Sequence, residues 1–242
     1  RFFRNLAPAT LSSGVIQINL WIGTIIATAI PGAAAAIYYV DRLVQLPISL
    51  IGVSIGIVIL PSLSRSFKAK DNASAINLQN RAMELSLLLS VPCTIALITL
   101  AEPIISILFQ RGEFKASDTA NTVPALITLA AGIPAYVMNK IMVPAFFAKE
   151  DTRTPLKISI ACLILNTSGN LILVRYMGYV GITLATAITA WCNVGMLIYF
   201  SHKKEFFKLD GIFFSKGIKI ALASCVLYLC LVLTSYYLTP YL

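Results

Sequence analysis

Seven long apolar stretches, separated by short polar connections, dominate this sequence. They cover 6–30, 34–63, 83–109, 122–147, 156–174, 180–200 and 212–238. Crossing the hydrocarbon core of a bilayer takes roughly 20 apolar residues of helix. Backbone N–H and C=O groups inside lipid need partners within their own segment, so such a stretch is helical rather than extended. With 58% hydrophobic and 12% charged residues, the sequence predicts an all-α, polytopic transmembrane helix bundle of about seven spans.

The basic residues are distributed unevenly between the two sides of such a bundle. Fourteen of the 19 lysines and arginines fall at one side, four at the other, and Lys140 lies within a span. Because positively charged loops stay in the cytoplasm, we expect a cytoplasmic N-terminus and Leu242 on the outer side. This distribution also accounts for the net charge of +9. Since the basic residues are scattered over several loops, it does not favour a nucleic acid partner.

The reactive side chains argue against an enzyme. No two of the five cysteines form a CxxC pair and all fall within spans, so we interpret them as packing residues. His202 is the only histidine, which leaves neither a His/Cys metal site nor a Ser/His/Asp arrangement. A Walker A motif is absent, which argues against direct use of ATP. The sequence predicts no catalytic residue, no metal site and no bound cofactor.

Charged side chains inside two spans are the strongest candidates for a binding site. A charge near the bilayer centre costs at least about 2.5 kcal/mol, so its presence requires compensation. Asp41 and Arg42 lie one to two turns inside the second span. Arg42 either faces a central cavity and holds an anionic group such as phosphate, or snorkels to the interface beside Tyr38 and Tyr39. Lys140, in the fourth span, has the same two alternatives.

Polar residues on the fifth span could form a second site. Asn166 and Asn170 are four residues apart and therefore share a helix face. Together with Thr183 or Thr186 of the next span, they could supply oxygen ligands to a hard cation. The alternative is ordinary hydrogen bonding between helices, which such residues provide in membrane proteins.

Small residues and prolines predict where the spans pack and bend. Gly52 and Gly56 form a GxxxG step, and Gly181, Ala185 and Thr189 form a small-residue ridge; both patterns let helices approach closely. Prolines inside spans remove backbone donors and tend to kink helices, as expected of a transporter whose bent spans enclose a cavity. These prolines are Pro47, Pro92, Pro124, Pro134 and Pro144.

Four motifs in order along the chain resemble the second lobe of the MurJ/MviN lipid II flippases. They are 38–47 (YYVDRLVQLP), the pair 52–56 (GVSIG) and 60–64 (LPSLS), 108–114 (LFQRGEF), and 145–155 (AFFAKEDTRTP). The resemblance implies a bacterial inner-membrane protein of the multidrug/oligosaccharidyl-lipid/polysaccharide exporter superfamily, with two lobes of helices around a cationic cavity. The start at Arg1 instead of a methionine agrees with a piece of a longer polypeptide. This piece would be the second lobe, with a periplasmic C-terminus, and an N-terminal lobe absent from the sequence would be its partner.

The resemblance also implies a mechanism and assigns site residues. Lipid II would move from the cytoplasmic to the periplasmic leaflet by alternating access, without covalent chemistry. Arg42 falls at the position of a cavity arginine of the family, preceded by its acid Asp41, and Lys140 at the position of a commonly basic residue. Arg42 would contact the pyrophosphate and Asp41 would orient it, while the polyprenyl tail remains among the membrane lipids.

The energy source and two alternative functions stay open at this point. A sodium or proton gradient, or the membrane potential, could drive the return step of alternating access. Asn166, Asn170 and Thr186 are the candidates for binding a coupling ion. One alternative is a related exporter that moves another polyprenyl-linked oligosaccharide or a drug. The other is a structural fragment that does not transport.

Overall fold

The computed structural model describes residues 2–238, with side-chain environments for 14–15, 17–211 and 213–235. This part of the chain contains helices and no strand, so the all-α prediction is confirmed. The elements are α1 (Phe2–Thr28), α2 (Ala33–Pro47), a π-helix (Ile48–Val53), α3 (Ser54–Lys68), α4 (Asn72–Thr99), α5 (Ala101–Phe109), α6 (Ala116–Ala130), α7 (Ile133–Ala148), α8 (Arg153–Met177), α9 (Tyr179–Lys203) and α10 (Gly211–Leu238). The C-terminal residue Leu242, for which we expect an outer position, lies outside the described residues.

Six segments within the described residues are long and apolar enough to cross a membrane. They are Ala33–Lys68, Asn72–Thr99, Ala116–Ala148, Arg153–Met177, Tyr179–Lys203 and Phe213–Ser235. These segments overlap the second to seventh predicted spans, and the first predicted span lies on α1, a helix of 27 residues. The chain is therefore a multi-pass membrane bundle.

Helix continues beyond the apolar stretches at one end of the bundle. The sequence predicts a polar connection over 64–81, but within it only 69–71 lies outside α3 and α4. Asp71 caps α4 by accepting a hydrogen bond from the backbone N–H of Ser74, at 3.0 Å. The apolar stretches indicate which residues lie in lipid, but they do not mark where a helix ends. A capped helix also persists in water, so α3 and α4 extend beyond the apolar residues.

Two spans are interrupted near their middle. In the segment Ala33–Lys68 the interruption is the π-helix, which directly follows Pro47. The span formed by α6 and α7 breaks at Ala131, just before Pro134 in the first turn of α7. Trp191 of α9 donates its indole N–H to the Ala131 carbonyl oxygen at 3.0 Å. Three other prolines lie inside continuous helices, namely Pro92, Pro124 and Pro144. Proline alone therefore does not decide where these spans are interrupted.

Helices approach closely at both small-residue patterns. A Cβ atom added to Gly56 would lie 2.7 Å from the carbonyl oxygen of Lys140 on α7, and one added to Gly52 would lie 3.1 Å from the Lys140 Cγ. A Cβ atom on Gly181 of α9 would overlap the backbone of Leu173 on α8. The interpretation of both patterns as packing seams is confirmed.

Three connections meet at one end of the bundle, which we call the basic end: 69–71, 149–152 and 204–210. Lys149 donates to Asn72 at 3.3 Å, which joins the second of these connections to the first turn of α4. Lys204 forms an ion pair with Asp151, which joins the second connection to the third. The residues predicted to lie on one side of the membrane are therefore brought together in space.

Candidate substrate and ion sites

Arg42 lies about 14 Å along α2 from its first residue, at 1.5 Å per residue. Its side chain is exposed, and Nη2 donates to the phenol oxygen of Tyr38 at 3.1 Å. The guanidinium carbon also lies 4.8 Å from the centroid of the Tyr38 ring, a cation–π distance. This hydrogen bond engages one of the five N–H donors of the guanidinium. The remaining donors have no hydrogen-bond partner among the described residues and could hold an anion.

Asp41 lies within electrostatic range of its neighbour Arg42 without forming an ion pair with it. The carboxylate is half-buried and lies within hydrogen-bonding reach of Gln45, one turn further along α2. It also lies within electrostatic range of Tyr136 on α7. Adjacent helical residues project about 100° apart, which explains the absence of an ion pair.

Lys140 is exposed on α7 and lies beside the π-helix instead of beside Arg42. Its stem packs across Gly52, and Gly52 follows Arg42 by ten residues, or roughly 15 Å of helix. The ammonium has no acidic partner among the side chains that the structure describes. The two basic candidates therefore lie at different depths in the membrane.

Asn166, Asn170 and Thr186 come together between α8 and α9. Asn170 donates to the amide oxygen of Asn166 at 3.0 Å, and Asn166 lies 3.4 Å from the hydroxyl of Thr186 and 3.5 Å from that of Thr189. Both asparagines are buried, and the amide oxygen of Asn170 has no hydrogen-bond partner among the described residues. Thr183, the other threonine considered, instead lies 2.6 Å from Thr128 on α6.

Two further residues contact this group of polar side chains between α8 and α9, namely Thr189 and Tyr136. Neither was a sequence candidate for the ion site. Thr186 and Thr189 are three residues apart, so their shared helix face was readable from the sequence. Tyr136, whose phenol lies 3.4 Å from the Thr186 carbonyl oxygen, comes from another helix and carries no local signal. The described residues contain no group of three or more His, Cys, Asp or Glu side chains able to hold a metal. The ligands available here are amide and hydroxyl oxygens, which suit a hard cation.

A cavity of about 310 Å³ lies at the end opposite the basic end. Its lining includes Tyr39, Phe114 and Tyr179, together with the carboxylates Glu113 and Asp118. Asp118 is already engaged, because it accepts from the Lys115 backbone N–H at 2.8 Å in the cap of α6. None of the sequence candidates for substrate or ion binding lines this cavity.

Comparison with known proteins identifies the family. The family model described as "Lipid II flippase MurJ" matches residues 1–242. A relative from Rickettsia prowazekii, "Probable lipid II flippase MurJ", is 41% identical over 92% of this chain and 43% of its own length. The "Lipid II flippase MurJ" of Burkholderia cenocepacia is 34% identical over 85% of this chain and 40% of its own length. The chain thus spans less than half the length of these curated relatives.

Solved structures show the same fold. A "Lipid II flippase MurJ, inward closed conformation" superimposes with a TM-score of 0.74 at 23% identity, over 95% of this chain and 52% of that one. An outward-facing multidrug resistance MATE family transporter of the MOP superfamily gives 0.73 at 17% identity, over 90% and 51% of the two chains. The fold alone does not separate the two kinds of transporter, whereas the sequence matches do. The resemblance in the four motifs is confirmed, and the chain belongs to the lipid II flippase MurJ family.

Proposed function

We propose that this chain forms one lobe of a flippase that moves lipid II from the cytoplasmic to the periplasmic leaflet of a bacterial inner membrane. The match of the family model over residues 1–242 carries the proposal. The partner would be an N-terminal lobe, because the relatives are more than twice as long as the stretch matched here. The excess of basic residues at the basic end supports a cytoplasmic position for that end and for the N-terminus.

Arg42 is the residue we propose to bind the pyrophosphate of lipid II. A guanidinium offers a planar fork of donors that matches phosphate oxygens, and most of the donors of Arg42 are unused. Asp41 forms no ion pair with Arg42, so its role would be to orient α2 against Tyr136 of α7. Lys140 would attract the same anion at a second depth, as the substrate moves between the two lobes. No covalent step is needed.

We further propose that Asn166, Asn170 and Thr186 bind a coupling cation, for which Na⁺ suits amide and hydroxyl oxygens; a proton gradient or the membrane potential is the alternative energy source. The unpartnered, buried amide oxygen of Asn170 supports this assignment, because leaving such an atom unsatisfied costs about 1–3 kcal/mol. A cation drawn to that oxygen would recover the cost. If flipping by the double variant Asn166→Ala/Asn170→Ala responds to a sodium or proton gradient as the parent does, this part of the proposal is wrong.

The test of transport uses cells depleted of their own flippase and supplied with the full-length protein that carries this lobe. Access of lipid II to an external probe is measured for the parent, for Arg42→Ala, and for the control Arg175→Ala. Arg175 is also exposed in a span and also belongs to the less basic side, so the control matches the loss of charge. The abundance of each variant in membranes is measured in parallel.

We expect the parent and Arg175→Ala to restore access and Arg42→Ala to fail at equal abundance. Equal activity of all three would show that Arg42 is a snorkelling residue held by Tyr38. Failure of the parent would reject the flippase proposal. Export of another polyprenyl-linked oligosaccharide or a drug would then be the alternative, since the MATE structures share this fold equally well.

A further inference from the structure

A pocket of about 620 Å³ opens at the basic end, between the first turns of α4 and the connection from α9 to α10. Its basic lining consists of Lys203, Lys208 and His202, and its one acidic residue is Glu205. Tyr199 adds an aromatic ring that is 62% exposed. None of these residues belongs to the substrate or ion sites proposed above.

The two lysines of this pocket have no ionic partner in the part of the chain that the structure describes. Their neighbour Lys204 is paired with Asp151, and it also donates to the hydroxyl of Thr154 at 2.7 Å. Lys203 and Lys208 have no acidic partner within 4.0 Å among the described side chains. Lys203 lies in the last turn of α9, where a cation is favourable to the helix dipole. Lys208 lies beyond the helix, so the dipole does not explain it.

Buried side chains of α4 hold the pocket wall in place. Gln79 donates to the Phe206 carbonyl oxygen at 3.1 Å, and Asn80 donates to the Lys208 carbonyl oxygen at 2.9 Å. Both amides are almost fully buried, and the adjacent Phe207 is 1% exposed. The backbone that carries Lys208 is therefore ordered before any ligand arrives, which lowers the entropy lost on binding.

We propose that this pocket binds the phosphate headgroup of an anionic phospholipid of the surrounding membrane. Two unpaired ammonium groups against one carboxylate give the pocket a positive balance, and Tyr199 is an aromatic residue of the kind enriched at membrane interfaces. Basic pockets between transmembrane helices at a membrane face recognise such headgroups. Helix α10 begins directly after the connection 204–210 and exposes Phe214 and Ile218, at 61% and 64%. Such apolar side chains suit the acyl chains of a lipid and not a soluble anion.

Native mass spectrometry of the purified full-length protein in detergent tests this proposal. The protein is titrated with dioleoylphosphatidylglycerol or dioleoylphosphatidylcholine, and the retained lipid is counted. The test variant is Lys203→Gln/Lys208→Gln. The control variant, Lys68→Gln/Lys70→Gln, removes the same charge from the same end of the bundle but outside the pocket. All four positions are exposed, and the melting temperature of each variant is measured to verify folding.

We expect the test variant to bind phosphatidylglycerol about 25-fold more weakly, at roughly fivefold for each lysine removed. The control variant and the binding of phosphatidylcholine should be unchanged. Equal loss in the two variants, or no loss in the test variant, would overturn the proposal. Displacement of the lipid by millimolar glycerol 3-phosphate would assign the pocket to a soluble phosphate ester and overturn the lipid assignment. The result does not depend on whether the protein flips lipid II.

Discussion

Replacing Gly56 with alanine probes the closest approach between the interrupted second span and α7. The new Cβ atom would lie 2.7 Å from the carbonyl oxygen of Lys140. This oxygen belongs to helix backbone, so no change of rotamer can relieve the overlap, and α3 and α7 have to separate. The separation removes packing along a seam that also includes Gly52.

The net effect follows from two opposing terms. Overpacking a close contact costs typically about 1–3 kcal/mol. Alanine in place of glycine within a helix returns about 1 kcal/mol. For Gly56→Ala the overlap exceeds the propensity gain, because both the added methyl group and its neighbour lie on helices that pack over many residues. We expect a loss of unfolding free energy of up to about 2 kcal/mol.

Gly195→Ala is the matched control. Gly195 lies within α9, and an added Cβ would have no neighbour within 4 Å, so only the propensity gain applies. Reversible unfolding of both variants in mixed micelles, followed by circular dichroism, measures the difference. We expect Gly56→Ala to unfold earlier than the parent and Gly195→Ala to unfold at the same point or later. If Gly56→Ala is as stable as Gly195→Ala, the close approach between α3 and α7 is wrong.

Three further predictions follow from single contacts. Partial burial alone would raise the pKa of Asp151, but hydrogen bonds from Lys204 and Thr154 outweigh it and hold this pKa below its ordinary value of 3.8. Its contribution to stability is therefore present at neutral pH and is lost progressively as pH falls below about 4; the difference in melting temperature between the parent and Asp151→Asn at pH 7 should shrink as pH is lowered below 4, and a constant difference would contradict this. Trp191→Phe removes the donor to the carbonyl oxygen at the break between α6 and α7, so it should lower the unfolding free energy by about 0.5–1.5 kcal/mol in the same micelle assay. Arg42→Lys keeps the charge but loses the planar fork, so in the lipid II probe assay it should restore less access than the parent and more than Arg42→Ala.

The sequence predicted the helical nature of the spans because lipid imposes it, and six of the seven predicted spans overlap segments of the described residues that are long and apolar enough to cross a membrane. Apolar length and the need to satisfy backbone groups within each segment leave few alternatives. The small-residue steps at Gly52, Gly56 and Gly181 were also interpreted correctly, because only the absence of a side chain permits such approach. The helical extensions over 64–68 and 72–81 were missed, because hydropathy does not report helix in water.

The candidate sites were predicted only in part. The spacing of Asn166 and Asn170 placed them on one face, but the spacing left Thr183 and Thr186 as equal partners. The register between α8 and α9 brings Thr186 to Asn166, while Thr183 contacts Thr128 instead. That register depends on the single-residue turn at Gly178, which has a positive φ of 59° that favours glycine.

The sequence by itself determined that this chain is a helical membrane protein of the MurJ family, because both conclusions rest on residue types in order along one dimension. The tertiary structure decided which polar groups meet. It left Asp41 and Arg42 without an ion pair and placed Lys140 beside Gly52. Among the described residues, it paired Lys204 with Asp151 and gave Lys203 and Lys208 no acidic partner. These outcomes depend on crossing angles and on the register between distant segments. A residue pattern along one segment gives no information about crossing angles or about the register between segments.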